Sequence, residues 1–375
     1  MDDVALFHEH QEQLQEMLNT TQEVAQRFRI KFGKEKSQII NINNKEPPPY
    51  KLGEMELDMT NKYKYLGMVI NNKGTMEDHI TSIKGKVEAS TQTILNIAGY
   101  NNFNKIQMEI IWKLVNTCII PIVTYAAEAW IPTQKEIKDL QKIVDNVIKR
   151  ILNAPITTPS ESIRLETGIE SIETAIDRKQ IMYYHKVRNN TNDSNVQRIM
   201  TDRNNEWAKK LSVKLNKYNI TEQEIMGTSK NQFKKTLNKK INDVTEHQIK
   251  EKAEHKSKVK HIIDKKNQNE ILKTPAYIKH LTRRDCSNIF AVRSRMIKLK
   301  TNYRNAHEDM ICRWCKGKDE TQEHIFMECP KLRKITSKID YHKIMSDLGN
   351  PLKKEAKMIE KLIQAINTEN DNNVN

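Results

Sequence analysis

Cysteine is scarce in this 375-residue chain: there are five, too few for a disulfide scaffold of such length. Three of the five lie near the C-terminus, a usage that fits reduced thiols in the cytosol or nucleus. Long apolar runs are missing too. None approaches the ~18 residues of a membrane span, and an acidic N-terminus does not fit a signal peptide, so a nuclear or cytoplasmic protein is expected, neither secreted nor membrane-bound. Hydrophobic residues reach only 37% with a mean hydropathy of -0.75, low for one compact globule, and extended polar segments are therefore expected. No internal repeat is evident. What the chain does have is positive charge: 63 Lys and Arg against 48 Asp and Glu, a formal +15. That excess favours a polyanionic partner, nucleic acid first and anionic membrane second. The length allows two or three domains, each burying a core of its own.

Along the chain the pattern changes from mixed to helical, predicting an α+β, predominantly helical fold. Residues 1–74 open with Asp2-Asp3 and the apolar run Val4–Phe7, which reads as a strand. An amphipathic helix follows, with Leu14, Leu18 and Val24 at near-helical spacing. RIKFGKEKSQIININ reads as two short strands around Gly33–Lys36, and YKLGEMELDMTNKYKYLGMVINNKG as further strands after Pro47-Pro48-Pro49. Three helices are predicted over 75–153 and expected to pack as a bundle. The first starts at the capping-box-like spacing of Thr75 and Asp78 and carries Ile80, Ile83, Val87 and Ile94. The second carries Ile106, Ile110, Leu114 and a core Cys118, stopping at Pro121. The third starts at a Thr133–Glu136 capping box and repeats Ile137, Leu140, Val144, Val147 and Ile151. Within 154–270, the stretch Lys230–Lys266 holds twelve lysines against five acids. It reads as a helical or disordered basic connector without much core, and its lysines, Lys234, Lys235, Lys239 and Lys240 among them, either form a solvated face or contact a nucleic-acid backbone.

The sharpest local signal is CRWCKGKDETQEHIFMEC, within 271–335. Cys312 and Cys315 form a Cys-x-x-Cys turn, His324 follows, and Cys329 comes five residues later. A tetrahedral Zn²⁺ takes four such thiolate and imidazole donors: the turn places two on one side and a helical His-x4-Cys step supplies the others. Three of the five cysteines fall within eighteen residues, which favours zinc over a chance grouping. His307 is a spare donor at poorer spacing. Trp314 either stacks on a base or packs over the finger.

Several strings together resemble one family, the reverse transcriptases of non-LTR retrotransposons. MDDVALF resembles the Tyr-x-Asp-Asp hairpin, with Met1 at the variable position. FRIKFGKEKSQII resembles the lysine-bearing palm segment that follows it, with Lys36 and Ser37 at the Lys-Ser/Thr pair. YKYLGMVI, around Tyr65, Leu66 and Gly67, resembles the primer-grip strand. PIVTYAAEAW and ILNAPITTPSESIRLETGIESI, with Glu166-Thr167-Gly168, are similar to thumb and post-thumb segments. RSRMIKLKTNYRNAHEDMICRWC and ETQEHIFMEC are similar to the finger ahead of the restriction-like endonuclease in site-specific members. The motifs keep the family's order over most of the chain.

The resemblance implies roles. Asp2 and Asp3 would hold Mg²⁺ for two-metal nucleotidyl transfer, Lys36 would lie near the incoming phosphates, and Tyr65, Leu66 and Gly67 would meet the primer. RNA template and target DNA would be the partners, with Zn²⁺ in a structural CCHC finger. Residues 1–74 would be a residual palm, 75–153 the thumb, 154–270 the post-thumb and basic connector, 271–335 the finger region and 336–375 an endonuclease remnant with a polar tail. Met1 is expected to be an internal methionine of a longer polyprotein whose upstream region carries another palm aspartate, and no Pro-Asp follows Pro330. A fragment of an RNA-directed DNA polymerase, inactive alone, is therefore expected. The alternative is a non-catalytic nucleic-acid-binding protein acting through its basic helices and finger.

Overall fold

The computed structural model describes residues 4–42, 49–97, 106–190, 194–202, 204–264, 272–302, 309–346 and 352–372. Among them the chain is mostly helical, with three two-stranded ladders. It divides into two compact units, Met1–Lys86 with Pro132–Glu136, and Val87–Ile131 with Ile137–Asn375.

In the first unit, helix α1 (Gln11–Arg27) packs on strand β2. Strands β1 (Gln38–Ile39) and β4 (Asp58–Met59) pair in parallel, β2 (Lys51–Leu52) and β3 (Met55–Glu56) antiparallel, and β5 (Lys62–Tyr65) and β6 (Met68–Asn71) antiparallel. Leu18, Tyr50, Leu52 and Leu57 form the core. Ala25, not Val24, takes the inner position one turn beyond Thr21, and Val24 is exposed. The Gln15 amide substitutes for a neighbouring strand: its Nε2 donates to the Lys51 carbonyl at 2.7 Å and its Oε1 accepts from the Lys51 amide at 3.0 Å. Two expected strands are absent. Val4–Phe7 and Arg29–Phe32 adopt no regular structure, because no described strand offers either a ladder. The YKYLGMVI strand is a hairpin, turning at Leu66 and Gly67, both with positive φ (44° and 82°), the conformation of a two-residue turn that matches strand twist.

Helix α2 (Glu77–Ile97) buries Ile83, Val87 and Ile94 as its spacing predicts. Its entry is organised by Asn71 and not by a Thr75–Asp78 box. Asn71 Oδ1 accepts from the Thr75 amide, and its Nδ2 donates to Thr75 Oγ1 and Asp78 Oδ2, all within 3.0 Å. The second predicted helix runs past Pro121. It comprises α3 (Met108–Leu114), a π-turn over Val115–Ile119 and α4 (Ile120–Val123), the widened turn meeting the proline that lacks an N–H. The buried stripe is Met108, Ile111, Val115 and Ile119, one position off the predicted one, so Cys118 is exposed. The third helix, α5 (Gln134–Leu152), has its capping box: Thr133 N donates to Glu136 Oε2 at 2.6 Å and Glu136 N to Thr133 Oγ1 at 3.3 Å. Arg150 of α5 holds Glu88 of α2 at 2.7 Å.

Helices α6 (Ser160–Thr167), α7 (Ile172–Arg188), α8 (Ser194–Thr201), α9 (Glu206–Lys217), α10 (Glu222–Ile225) and α11 (Lys230–Glu254) continue the second unit. The lysine-rich stretch is not a connector without a core. Phe233, Leu237 and Ile241, one turn apart, enter a cluster with Ile181, Tyr184, Leu211 and Tyr218. Ile249 joins Leu165 with Val259 and Ile262 of α12 (Ser257–Ile263). Five apolar residues, Phe233, Leu237, Ile241, half-buried Val244 and Ile249, suffice to seat one face of a helix that is otherwise largely polar. Beside this core the buried Asp177 carboxylate accepts from Lys214 Nζ at 2.8 Å, Lys217 Nζ at 3.0 Å and Tyr218 Oη at 2.9 Å. Burial opposes charge on Lys217, but Asp177, Tyr218 and Glu173 together outweigh it and hold the ammonium above its ordinary pKa.

Helices α13 (Ala276–His280), α14 (Arg283–Arg293), α15 (Arg333–Thr336), α16 (Tyr341–Met345) and α17 (Lys353–Asn372) complete the unit. Chain-distant segments meet here. α3 packs on α13, and Arg283, buried, caps α5 by donating to the Ile151 and Arg150 carbonyls at 2.7 and 2.9 Å. Gly168 ends α6 in the left-handed region (φ 69°), where an added Cβ would stand 2.5 Å from Thr274 Oγ1 and 3.0 Å from the Leu272 carbonyl. Gly168→Ala is therefore expected to destabilise the protein by about 1–3 kcal/mol. A urea midpoint unchanged by the substitution would contradict the αL cap.

Candidate metal centre

The four sequence-predicted ligands converge. The donor atoms of Cys312, Cys315, His324 and Cys329 all lie within 4.8 Å of one another. Cys312 Sγ is 3.9 Å from Cys329 Sγ, and Cys315 Sγ is 3.2 Å from His324 Nε2. Around a tetrahedral zinc with bonds near 2.3 Å to sulfur and 2.0–2.1 Å to nitrogen, these edges would measure about 3.8 and 3.6 Å. The donor set therefore fits a metal such as zinc.

Two pieces of local backbone make this geometry. In the first, a tight turn over Cys312–Lys318 closes with Cys312 N donating to the Lys318 carbonyl at 2.7 Å and Lys316 N to the Cys312 carbonyl at 3.0 Å. Lys316 takes φ 55° to complete it. The turn aims amides at sulfur. The Gly317 N–H, helped by the neighbouring thiol and imidazole groups, draws Cys315 down to about 6, so its thiolate is ready at neutral pH. Burial pushes Cys312 up to about 11, against the N–H groups of Cys315 and Trp314, so this thiol has a proton to lose on metal binding.

The second piece is a π-turn over His324–Glu328, closed by Cys329 N donating to the His324 carbonyl at 2.7 Å. In an α-helix five residues advance roughly 500°, which would turn Cys329 well away from His324. The wider π-turn brings residues five apart back to one side. The His-x4-Cys spacing is thus met by a π-turn and not by a regular helical step.

Four supporting residues carry no signal in the sequence. Glu320, fully buried, accepts from Arg313 N at 3.0 Å, Arg313 Nε at 2.8 Å and Lys300 N at 3.0 Å, tying the turn to the chain after α14. Glu328 Oε2 lies 2.8 Å from Lys318 Nζ and 3.6 Å from His324 Nδ1, itself buried and without a hydrogen bond. With Nε2 turned to the sulfurs, Nδ1 faces the carboxylate type that orients metal-bound imidazoles. Gln322 donates to the Val292 carbonyl at 2.9 Å, and Phe326 stacks on Tyr341 at 5.0 Å, so the centre is built into the helices around it. Trp314 is half-buried with the Arg313 guanidinium 5.2 Å from its ring centre.

The other sequence candidates are placed as follows. Asp2, Asp3 and His307 lie outside the described residues. Lys36 is exposed on a 3₁₀ turn whose carbonyl accepts from Tyr63 Oη at 2.8 Å, which links it to the β5–β6 hairpin bearing Tyr65, Leu66 and Gly67. Lys234, Lys235 and Lys239 are exposed on α11. Lys240 is not available in the same way: its Nζ lies 2.6 Å from Glu224 Oε1 and donates to the Asn219 carbonyl. No helix among the described residues is long and apolar enough to cross a membrane. No family model, no curated protein and no solved structure matches this chain.

Proposed function

We propose that this chain is a nucleic-acid-binding polypeptide derived from the C-terminal part of a non-LTR retrotransposon reverse transcriptase, with a structural zinc in its Cys₃His centre. The observation that carries the zinc is the convergence of three sulfurs and one imidazole nitrogen within 4.8 Å at the place where the finger resemblance falls. Four protein donors leave no open position for water, which makes the ion structural and not catalytic. The +15 charge supports a polyanionic partner, and the ordered run of family-like strings supports the descent. RNA template and target DNA are the partners this descent implies. Asp2 and Asp3 would bind Mg²⁺ in the intact polymerase, with Lys36, Tyr65, Leu66 and Gly67 beside nucleotide and primer. Nucleic-acid binding through the basic surfaces and the finger is the function proposed for this chain.

Metal analysis and a salt titration test this. The purified chain should carry one zinc, and its affinity for a labelled DNA duplex should fall steeply with salt, by about 0.9 in log affinity per log salt for each phosphate neutralised. Lys234→Gln, Lys235→Gln and Lys239→Gln together should make the slope shallower. Lys240→Gln should leave the slope alone, because that ammonium is committed to Glu224. A chain without metal, or with salt-independent binding, would sink the proposal.

A further inference from the structure

The geometry points to a second phosphate-binding surface, the turn Lys331–Lys338 that grows directly out of the metal centre, fitted to the backbone of a nucleic-acid duplex. The inference rests on the nucleic-acid reading above and assigns to it a site that α11 does not provide. The turn starts at a metal ligand: Leu332 N donates to the carbonyl of Cys329 at 3.3 Å, and α15 follows with Thr336 N and Ser337 N bonded to the Leu332 and Arg333 carbonyls at 3.0 Å. Leu332, Thr336 and Ile339 are buried and fix its inner side. Lys331, Lys334 and Lys338, spaced three and four apart, share the outer side, and Arg333 is exposed beside them. None of the four cations has an ion pair among the described residues.

Acids that could neutralise this surface are engaged elsewhere. The segment between Glu328 and Asp340 contains none. Glu328 lies 2.8 Å from Lys318 Nζ, and Asp340 caps α16 by accepting from Lys343 N at 2.9 Å. On α17, which packs against α15, Glu355 holds Lys343 at 2.8 Å and Glu360 holds Arg284. On α11 the acids Asp243, Glu246, Glu251 and Glu254 follow the Lys230–Lys240 run, and Lys240 of that run is held by Glu224. The outer side of the turn offers Lys, Arg and Ser and no aromatic ring. Single-stranded sites combine charge with stacking platforms, so a surface of charge alone suits a duplex whose bases are already stacked. Metal and surface would be coupled, because the Cys329 carbonyl accepts from Leu332 N at the start of the turn and Cys329 would be one of the residues that hold the ion.

The full-length, zinc-loaded chain provides the test, titrated by anisotropy with a short DNA duplex over a salt series. Substituting Lys331→Gln, Arg333→Gln, Lys334→Gln and Lys338→Gln together should lower the log–log salt slope by about 2–4, at roughly 0.9 for each phosphate no longer neutralised. Zinc content and circular dichroism should stay unchanged. Lys331→Arg, Lys334→Arg and Lys338→Arg together should bind like the parent, since charge is kept. An unchanged slope in the glutamine variant, with the parent still strongly salt-dependent, overturns this inference and leaves the nucleic-acid reading standing. Equal loss in the arginine variant overturns it too, by showing that charge is not the cause. A parent without salt-dependent binding removes both.

Discussion

Replacing Cys329 with serine, or stripping zinc with a strong chelator, is expected to unfold residues 311–339 while the core around α7, α9 and α11 survives. Outside Ile325, Phe326, Leu332 and Ile339, which reach the surrounding core, the segment has little apolar surface to order it. Between the Cys-x-x-Cys turn and His324 lies KGKDETQE, in which Glu320 and Gln322 alone are buried, both polar. Their hydrogen bonds are worth about 0.5–1.5 kcal/mol each for neutral pairs, somewhat more where charged. Structural zinc sites bind with apparent free energies of ~10–16 kcal/mol near neutral pH, comparable to the whole stability of a domain. Hydrogen exchange read by mass spectrometry should show protection lost over 311–339 and retained in Phe233, Leu237 and Ile241 of α11. Protection unchanged after chelation would mean that packing and not metal holds the centre.

The same site fixes a pH dependence. Metal binds the thiolates and the neutral imidazole, so protons compete with it and affinity falls as pH falls. Cys315, drawn down to about 6, is largely deprotonated at pH 7 and resists that competition until pH approaches 6. Cys312, pushed up to about 11, must release its proton on binding, so zinc uptake at neutral pH should liberate protons measurably in weakly buffered solution.

The metal centre is legible in the sequence because its chemistry is local: donor types and short spacings survive as sequence. What the spacing does not show is the π-turn, since five-residue steps look irregular to a 3.6-residue period. In the second helix the predicted stripe is off by one residue from Ile111 onward, ahead of the π-turn, so the period assigns Cys118 to the core although it is exposed. The core of α11 escapes the sequence for a different reason. Its apolar residues are few, and twelve lysines hide the four-residue spacing of Phe233, Leu237 and Ile241. Glu166 stands out as part of the Glu-Thr-Gly string, but nothing local announces a partner 127 residues away. Such pairs exist only after tertiary packing has chosen them.

That pair supplies the other large effect: Glu166→Ala should destabilise the second unit by about 3–5 kcal/mol. Glu166 is fully buried and Arg293 is 2% exposed, with Nε 2.7 Å from Oε2 and Nη2 2.9 Å from Oε1 in a two-pronged contact. Tyr277 Oη donates to the same carboxylate at 2.7 Å. Burial, with the Glu166 charge, holds its hydroxyl well above the ordinary pKa, so it remains a donor. Arg293 Nη1 also donates to the Ile344 carbonyl at 2.7 Å, and its own carbonyl meets His261 Nε2 at 2.6 Å. One arginine therefore joins α6 and α16 through its guanidinium and α12 through its carbonyl. Truncating Glu166 leaves this cation in the interior without its counter-charge, a state worse than removing both. The double variant Glu166→Gln with Arg293→Met should accordingly lose less stability than the sum of the two single variants, by ~1–3 kcal/mol of coupling. Urea denaturation of the four proteins measures it. Additive losses, or a Glu166→Ala loss under about 1 kcal/mol, would show that the contact is incidental to a core held by its apolar residues.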